Sequence, residues 1–582
     1  MSLSQKWRRL LPALFSLSLV FVAGVAMATD ATPEEAAGHR SHVPPMQQRP
    51  PGKAAIASAN FLATNAGFEV LAKGGNAFDA AVAVAATLSV VEPESSGIGG
   101  GFMAVLHRAR DGRNVFIDAR EVAPAAVDPK NYVKPDGDPN RDSSLNGPLA
   151  AGIPGEPAGL VLMAERYGKL PLKESLAPAI RIARDGFKPD PRLREAIAEK
   201  QAILQRWPAS ANKYLRDGKP PAEGSLWRDP AQARTLELLA AHGDEGFYKG
   251  QTAKRLVAAV RASGGNWTLA DLADYRAKER APLQLDYRGY RIITAPPPSS
   301  GGVAMAEIFN ILSGFDLDKM DRAHRVHYIV EAMRRAFRDH NDYLGDPDFV
   351  KMPLDMLLSP YYADGLRQSI LPDRATPSSM LPAAEASDPG MHTTHFSIID
   401  ADGNMASITS TVNTILGSSF VAGDTGVLLN NEMDDFALVP NKPNAYGLLG
   451  SKANAPAPGK RMLSSMSPSI VIGANRTMVI GSPGGSTIIT QVLEGILHFI
   501  DGQDASEIVA DKRFHHQYMP DVVYVEQGTF DAATSEALTR MGYTLKPRES
   551  WGFMNVVTWD RLTNKLDAAS DPRRPSGLGK VQ

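Results

Sequence analysis

The chain has no cysteine, which removes disulfides, thiolate metal sites, iron–sulfur clusters and a cysteine nucleophile at once. Covalent chemistry then falls to Ser, Thr, Lys or a carboxylate. An excess of one charge is lacking too: 62 Lys plus Arg against 64 Asp plus Glu leave a formal net charge of −2. No block of like charge breaks that balance, so a nucleic-acid partner held by phosphate neutralisation is disfavoured. The longest apolar run, Leu10 to Val25, falls short of the roughly 20 residues that cross a bilayer as a helix. There is no repeat of fixed period and no Gly-x-Ser-x-Gly elbow of an α/β-hydrolase.

What is present is a globular composition, 43% hydrophobic and 22% charged over 582 residues. That length predicts two or more lobes, or one large layered domain with insertions. Residues 1–28 read as a cleaved signal peptide: Lys6, Arg8 and Arg9, the apolar run, then Ala26-Met27-Ala28. A mature chain starting near Thr29, periplasmic or secreted and free of the membrane, is expected. Asn76 to Val91 is apolar all round and predicts a buried helix. Met103–His107 and Val115–Asp118 flank Asp111-Gly112 as a hairpin. Residues 155–385 read as mostly helical, interrupted by the loop Pro296 to Gly302. From Thr393 strands with Gly-rich turns take over, followed by a helix near Thr487–Ile500.

Several motifs point to chemistry that their surroundings do not support. Gly99-Gly100-Gly101-Phe102-Met103-Ala104 fits a dinucleotide fingerprint nominally, but a hairpin follows where a helix is required. Ser210 and Lys213 have the Ser-x-x-Lys spacing without its partner motifs, and read as a surface coincidence. His324, His327 and Glu331 could share a helix face as metal ligands, yet the Arg-rich amphipathic segment favours satisfied helix-surface side chains. His515-His516 lack further spaced ligands. No metal and no cofactor is expected.

Thr393 to Asn413 alternates on both sides of an Asp-Gly turn centred near residue 402. Antiparallel pairing about that centre sets Thr393 opposite residue 411 or 412. Thr411 and Asn413 share a face because side chains alternate with period two. Two hydroxyls and an amide thus gather at the start of the first strand, although composition alone favours a Thr-rich edge hairpin.

The motifs Thr393–Ser397, Asn413, Leu429–Phe436, Leu463–Pro468, Gly481–Gly485 and Ser570–Arg573 resemble those of the γ-glutamyltranspeptidase (glutathione hydrolase) family. So do Gly74–Ala81, Asp118–Glu121 and the Pro296–Gly302 loop, in the same order. The resemblance implies an α+β N-terminal-nucleophile hydrolase, an αββα sandwich with two antiparallel sheets between helical layers. It implies an inactive precursor cut between His392 and Thr393, leaving a large subunit of residues 29–392 and a small catalytic subunit of 393–582 as a heterodimer. The hydroxyl of Thr393 would be the nucleophile. Its free α-amine, with a pKa of about 7.7–8.0, would be the general base near neutral pH.

By the same resemblance, Thr411 orients the nucleophile and the backbone N–H groups of Gly484 and Gly485 form the oxyanion hole. Arg120 clamps a substrate α-carboxylate, with Ser464 and Ser465 as neutral donors. Asn413, Glu432 and Asp435 accept from the α-ammonium, although some bacterial members carry Gln at the position of Glu432. Tyr446, in a lid-like loop of residues 440–447, shields the acyl-enzyme or merely packs that loop. The implied activity takes the γ-glutamyl group of glutathione and related γ-glutamyl compounds onto Thr393, then passes it to water or to acceptor amino acids or peptides. Alternatives are a glutaryl or cephalosporin acylase, a poly-γ-glutamate hydrolase of the same fold, or a non-catalytic periplasmic binding protein.

Overall fold

The computed structural model describes residues 50–381 and 393–582; the signal segment 1–28 and His392 lie outside the described residues. In chain order the strands are β1 (Ala55–Ser58), β2 (Gly101–Arg108), β3 (Arg113–Ala119), β4 (Lys278–Arg280), β5 (Leu283–Tyr287), β6 (Tyr290–Thr294), β7 (Thr394–Ile399) and β8 (Met405–Thr411). They continue with β9 (Ser469–Ile472), β10 (Arg476–Gly481), β11 (Phe514–His515), β12 (Val523–Glu526), β13 (Leu545–Arg548), β14 (Asn555–Asp560), β15 (Lys565–Ser570) and β16 (Leu578–Val581). A seven-stranded sheet runs β16-β1-β7-β8-β2-β3-β4 and a six-stranded sheet β15-β14-β10-β9-β6-β5, both antiparallel throughout. A small third sheet holds β11, β12 and β13.

Period-two alternation explains why the two large sheets stack and are covered outside by helices. On β2, Phe102, Ala104 and Leu106 join a core with the helices Phe61–Ala72, Ala77–Val91 and Glu156–Tyr167. Met103 and Val105, pointing the other way, join Ile292, Ile470, Val471, Met478 and Val479 of the second sheet. That second core continues into the helices Gly301–Leu312, Arg322–Tyr343 and Thr487–Ile500. The expected αββα sandwich is therefore one layered unit rather than separate lobes.

The helix expected over Asn76 to Val91 is present and wholly buried at Ala77–Val91. Asn76 accepts from the amides of Phe78 and Asp79 while Asp79 accepts from that of Asn76, a reciprocal cap that fixes its start. Pro93 just beyond its end disfavours continuation. The middle of the chain differs from expectation, because β4, β5 and β6 interrupt the helices and complete one edge of each sheet. The β5–β6 turn is Arg288-Gly289, with φ of 49° and 82°, and it joins Tyr287 paired to Tyr290. A two-residue turn of this kind is usually signalled by Asn-Gly or Asp-Gly, so Arg in the left-handed region hid it.

The nominal dinucleotide fingerprint has a packing explanation. A Cβ on Gly100 would lie 2.0 Å from the Thr411 carbonyl oxygen, and one on Gly101 2.4 Å from that of Ala119. Glycine here lets the chain pass against the end of β8, and a strand follows, not a helix. Ser210 is buried and Lys213 half-buried, not superficial as expected: Ser210 accepts from the Val421 amide at 2.9 Å, and Lys213 pairs with Asp229 at 2.7 Å. His327 and Glu331 are likewise core groups rather than helix-surface ones. The His327 ring bonds the Leu371 carbonyl at 2.8 Å and the Tyr543 hydroxyl at 2.8 Å, and Glu331 meets Arg335 at 2.7 Å.

Candidate active site

The hairpin forms in the expected register. Thr394 pairs with Ser410 and Ile399 with Met405, so Thr393, one residue before β7, faces Thr411. Their hydroxyls are 3.2 Å apart. The hairpin is central in its sheet, flanked by β1 and β2, which overturns the edge-hairpin alternative. Odd-numbered residues of β7 and β8 face the second sheet, and at this end of the interface they are polar. His395 Nδ1 lies 2.9 Å from Thr409 Oγ1 and its Nε2 3.1 Å from Ser397 Oγ. Ser397 and Ser407 donate to the carbonyls of Asn555 and Ile480 across the gap, at 2.8 and 2.9 Å. Burial lowers the His395 pKa to about 3, so the ring is a neutral crosslink. Sequence reading missed this stripe because both partner strands lie far along the chain.

Thr411 Oγ1 also accepts from the Asn413 amide at 2.7 Å. Asn413 has φ of 76°, a left-handed conformation that asparagine tolerates better than most residues. Its side chain donates to the Asn431 carbonyl at 2.9 Å, and its own carbonyl accepts from the Tyr446 hydroxyl at 2.6 Å. Tyr446, buried, covers Gly485: a Cβ there would fall 2.2 Å from the ring. Gly484 and Gly485 have φ of 137° and 56°, and neither amide N–H has a protein acceptor among the described residues. The loop bearing Tyr446 is tied down by Asp434, which accepts from the Ala445 amide at 2.7 Å.

Thr393, Thr411, Asn413, Tyr446 and Gly485 share a narrow cavity of about 40 Å³ with Arg120, Glu432, Asp435, Ser464 and Ser465. Arg120, just past β3, is 1% exposed. One branch of its fork meets Glu432 at 2.6 Å, the other Asp435 at 2.5 Å, and Glu121 is 3.6 Å away. The Met462 and Leu463 carbonyls accept from the same guanidinium at 3.3 and 3.1 Å. The sequence reading assigned the arginine and the acids to opposite ends of a ligand; in the structure they pair with each other.

One guanidinium cannot balance three carboxyls, two of them fully buried. Burial, against the pull of Arg120, pushes Glu121 up to about 8 and Glu432 up to about 7. Asp435 is raised well above the usual range by burial and by Glu432. Asp435 Oδ1 and both Glu121 oxygens have no hydrogen-bond partner among the described residues. The acids outnumber the one cation, and their raised pKa values mean that the excess is met by bound protons rather than by a second basic side chain.

Ser464 and Ser465 line the same wall. The Pro296–Gly302 loop fixes them: the Ser300 hydroxyl and amide both donate to the Ser464 carbonyl, at 2.8 and 2.7 Å. Two asparagines that sequence reading passed over hold the site together. Asn430 donates to the Gly99 and Gly152 carbonyls, at 2.8 Å each, and accepts from the Glu432 amide at 3.0 Å. Asn454 donates to the Asp435 carbonyl at 2.7 Å and accepts from the Leu463 amide at 3.0 Å. Asn430 stood inside a quoted motif; Asn454 carried no signal.

The sequence profile described as Gamma-glutamyltranspeptidase matches residues 63–581. The chain belongs to this family. A glutathione hydrolase proenzyme of Pseudomonas sp. (strain A14) is 41% identical over 545 residues, covering 90% of this chain and 93% of the relative. Among solved structures, the cephalosporin acylase of Bacillus halodurans superposes with a TM-score of 0.79 at 28% identity, over 93% of this chain and 98% of its own. The Helicobacter pylori gamma-glutamyltranspeptidase superposes with a TM-score of 0.53 at 38% identity, over 55% of this chain and 92% of its own. The family is enzymatic, and its N-terminal-nucleophile sandwich is the fold described above. Among the described residues no helix is long and apolar enough to cross a membrane.

Proposed function

We propose that this chain is the precursor of an exported enzyme that cleaves γ-glutamyl bonds, glutathione above all, and transfers the γ-glutamyl group to water or to an amine. The observation that carries the reading is the cavity itself. A hydroxyl pair at 3.2 Å stands at one end, and at the other one arginine faces an excess of acids. A γ-glutamyl group suits both ends. Its α-ammonium brings a second positive donor to Asp435 and Glu432. Its α-carboxylate takes up the Arg120 donors so released, with Ser464 and Ser465 beside it.

In the precursor, Thr393 Oγ attacks the His392 carbonyl, the peptide becomes an ester, and water splits it. This frees residues 393–582 from the preceding chain and creates the Thr393 α-amine. That amine accepts the Thr393 hydroxyl proton as Oγ attacks the γ-carbonyl, while Thr411 donates to Oγ and holds its direction. The amides of Gly484 and Gly485, which have no protein acceptor among the described residues, would donate to the developing oxyanion. Collapse returns the proton to the leaving amine and leaves a γ-glutamyl ester on Thr393, which water or an acceptor amine then cleaves. Tyr446, bonded to Asn413 across the cavity, restricts the entry of water. A glutaryl amide has no α-ammonium to offer these acids, which disfavours the acylase alternative.

The test is direct. Active protein runs as two fragments, the smaller beginning Thr-Thr-His-Phe-Ser, and releases p-nitroaniline from γ-glutamyl-p-nitroanilide, while Thr393→Ala remains uncut and inert. An intact chain with full turnover, or equal turnover of glutaryl and γ-glutamyl amides, refutes the reading.

A further inference from the structure

Away from the Arg120 cluster, the cavity wall includes His340, Lys442, Asn444, Leu448 and Ile488. His340 lies in the last turn of the helix Arg322–Tyr343 and is 3% exposed. Its ring lies on that of Phe337, with centroids 5.8 Å apart. Nδ1 is 3.0 Å from Asn341 Oδ1. An amide oxygen can only accept, so the ring proton sits on Nδ1 and Nε2 presents a bare lone pair. That Nε2 is buried and has no hydrogen-bond partner among the described residues. Burial, opposed by Asn341, lowers the ring pKa to about 4, so the imidazole is neutral in any ordinary buffer. His340 lines the cavity that holds Thr393, and a desolvated acceptor with nothing to accept from among the described residues points to a ligand that brings an N–H.

We propose that His340 is a specificity residue for the second half-reaction, its Nε2 accepting one N–H of the attacking amine of an amino acid or dipeptide. The inference rests on the transfer reaction proposed above. A neutral primary amine has two N–H bonds and one lone pair. Holding one N–H at Nε2 leaves the lone pair free to face the Thr393 ester carbonyl. The C–N bond then forms, the ester C–Oγ bond breaks, and the proton lost by the nitrogen passes through the Thr393 α-amine to Thr393 Oγ. His340 exchanges no proton and acts by orientation. The rest of the wall suits the remainder of such an acceptor. Leu448 and Ile488 offer apolar contact, and Lys442, half exposed and paired with Asp138 at 3.1 Å on the rim, can exchange that weak partner for a carboxylate.

The experiment follows γ-glutamyl-p-nitroanilide turnover with and without glycylglycine, resolving free glutamate from the γ-glutamyl-dipeptide product, for the wild type, His340→Leu and His340→Gln. Self-cleavage into two fragments reports that each variant has folded. His340→Leu is expected to raise the KM for glycylglycine and lower the transfer-to-hydrolysis ratio at least fivefold, with a smaller change in the KM for the donor. His340→Gln, which keeps an acceptor oxygen, recovers part of that ratio. The inference is overturned if the ratio stays within twofold of wild type in both variants, or if hydrolysis and transfer fall together in both. A wild-type protein that releases no p-nitroaniline would instead refute the reading of the site.

Discussion

Replacing Thr411 by valine separates the roles of its one hydroxyl, because valine has nearly the same shape and neither donates nor accepts. Thr411 Oγ1 accepts from the Asn413 amide at 2.7 Å and lies 3.2 Å from Thr393 Oγ1. In the proposed mechanism Thr393 gives its own proton to the base as it attacks, which requires the hydrogen bond between the two hydroxyls to be donated by Thr411. In Thr411→Val the Asn413 N–H is left buried without an acceptor in every state. That loss, about 1–3 kcal/mol for a buried unpaired group, appears as lower stability and cancels from the rate. The lost donor to Thr393 matters only as charge builds on Oγ, so it appears in the chemical step. A further ~1–3 kcal/mol there slows acylation about 5- to 150-fold, at roughly 1.4 kcal/mol per factor of ten. The assay is single-turnover release of p-nitroaniline, with self-cleavage followed on a gel as an independent reading of the same hydroxyl pair. Thr411→Ser should recover most of both rates. Thr411→Val with more than half the wild-type rate in both reactions would refute the orienting role.

Two further outcomes follow from the charge cluster. Arg120→Lys keeps the charge but not the fork that now reaches Glu432 and Asp435 on separate branches. Donor KM should rise tenfold or more, from lost charge-assisted bonds of about 1.5–3 kcal/mol, while self-cleavage at residue 393 proceeds; an unchanged KM in initial-rate assays excludes the clamp. Glu432 contributes one limb of the pH dependence, because burial raises it to about 7 against the pull of Arg120. Below that pH the carboxyl is neutral and attracts an ammonium weakly, so donor KM should fall as pH rises from about 6 to 8, and Glu432→Gln should flatten this limb. The folded-state pKa exceeds the ordinary 4.5, so at this group the folded protein binds more protons than its unfolded chain. Its stability therefore falls as pH rises between about 4.5 and 7. Thermal melts of wild type against Glu432→Gln should show that difference narrowing toward pH 4.

Local rules were enough to place Thr393 opposite Thr411, because an Asp-Gly turn and a period of two fix register within one hairpin. They were enough for the buried helix Ala77–Val91, whose Asn76–Asp79 cap and Pro93 stop lie within its own segment. Matching motifs along the chain brought Arg120, Glu432, Asp435, Ser464, Ser465, Gly484 and Gly485 into consideration, without their mutual arrangement. Arg120 and Asp435 are 315 residues apart in sequence. Only the stacking of the sheets, with Asn430 and Asn454 bracing the acidic turn, shows that they pair with each other. The polar stripe around His395 and the unpartnered nitrogen of His340 depend equally on strands and helices that meet across the sandwich. Register and capping are set by neighbours a few residues away, whereas the charge and hydrogen-bonding state of a buried group is set by whatever the fold packs around it.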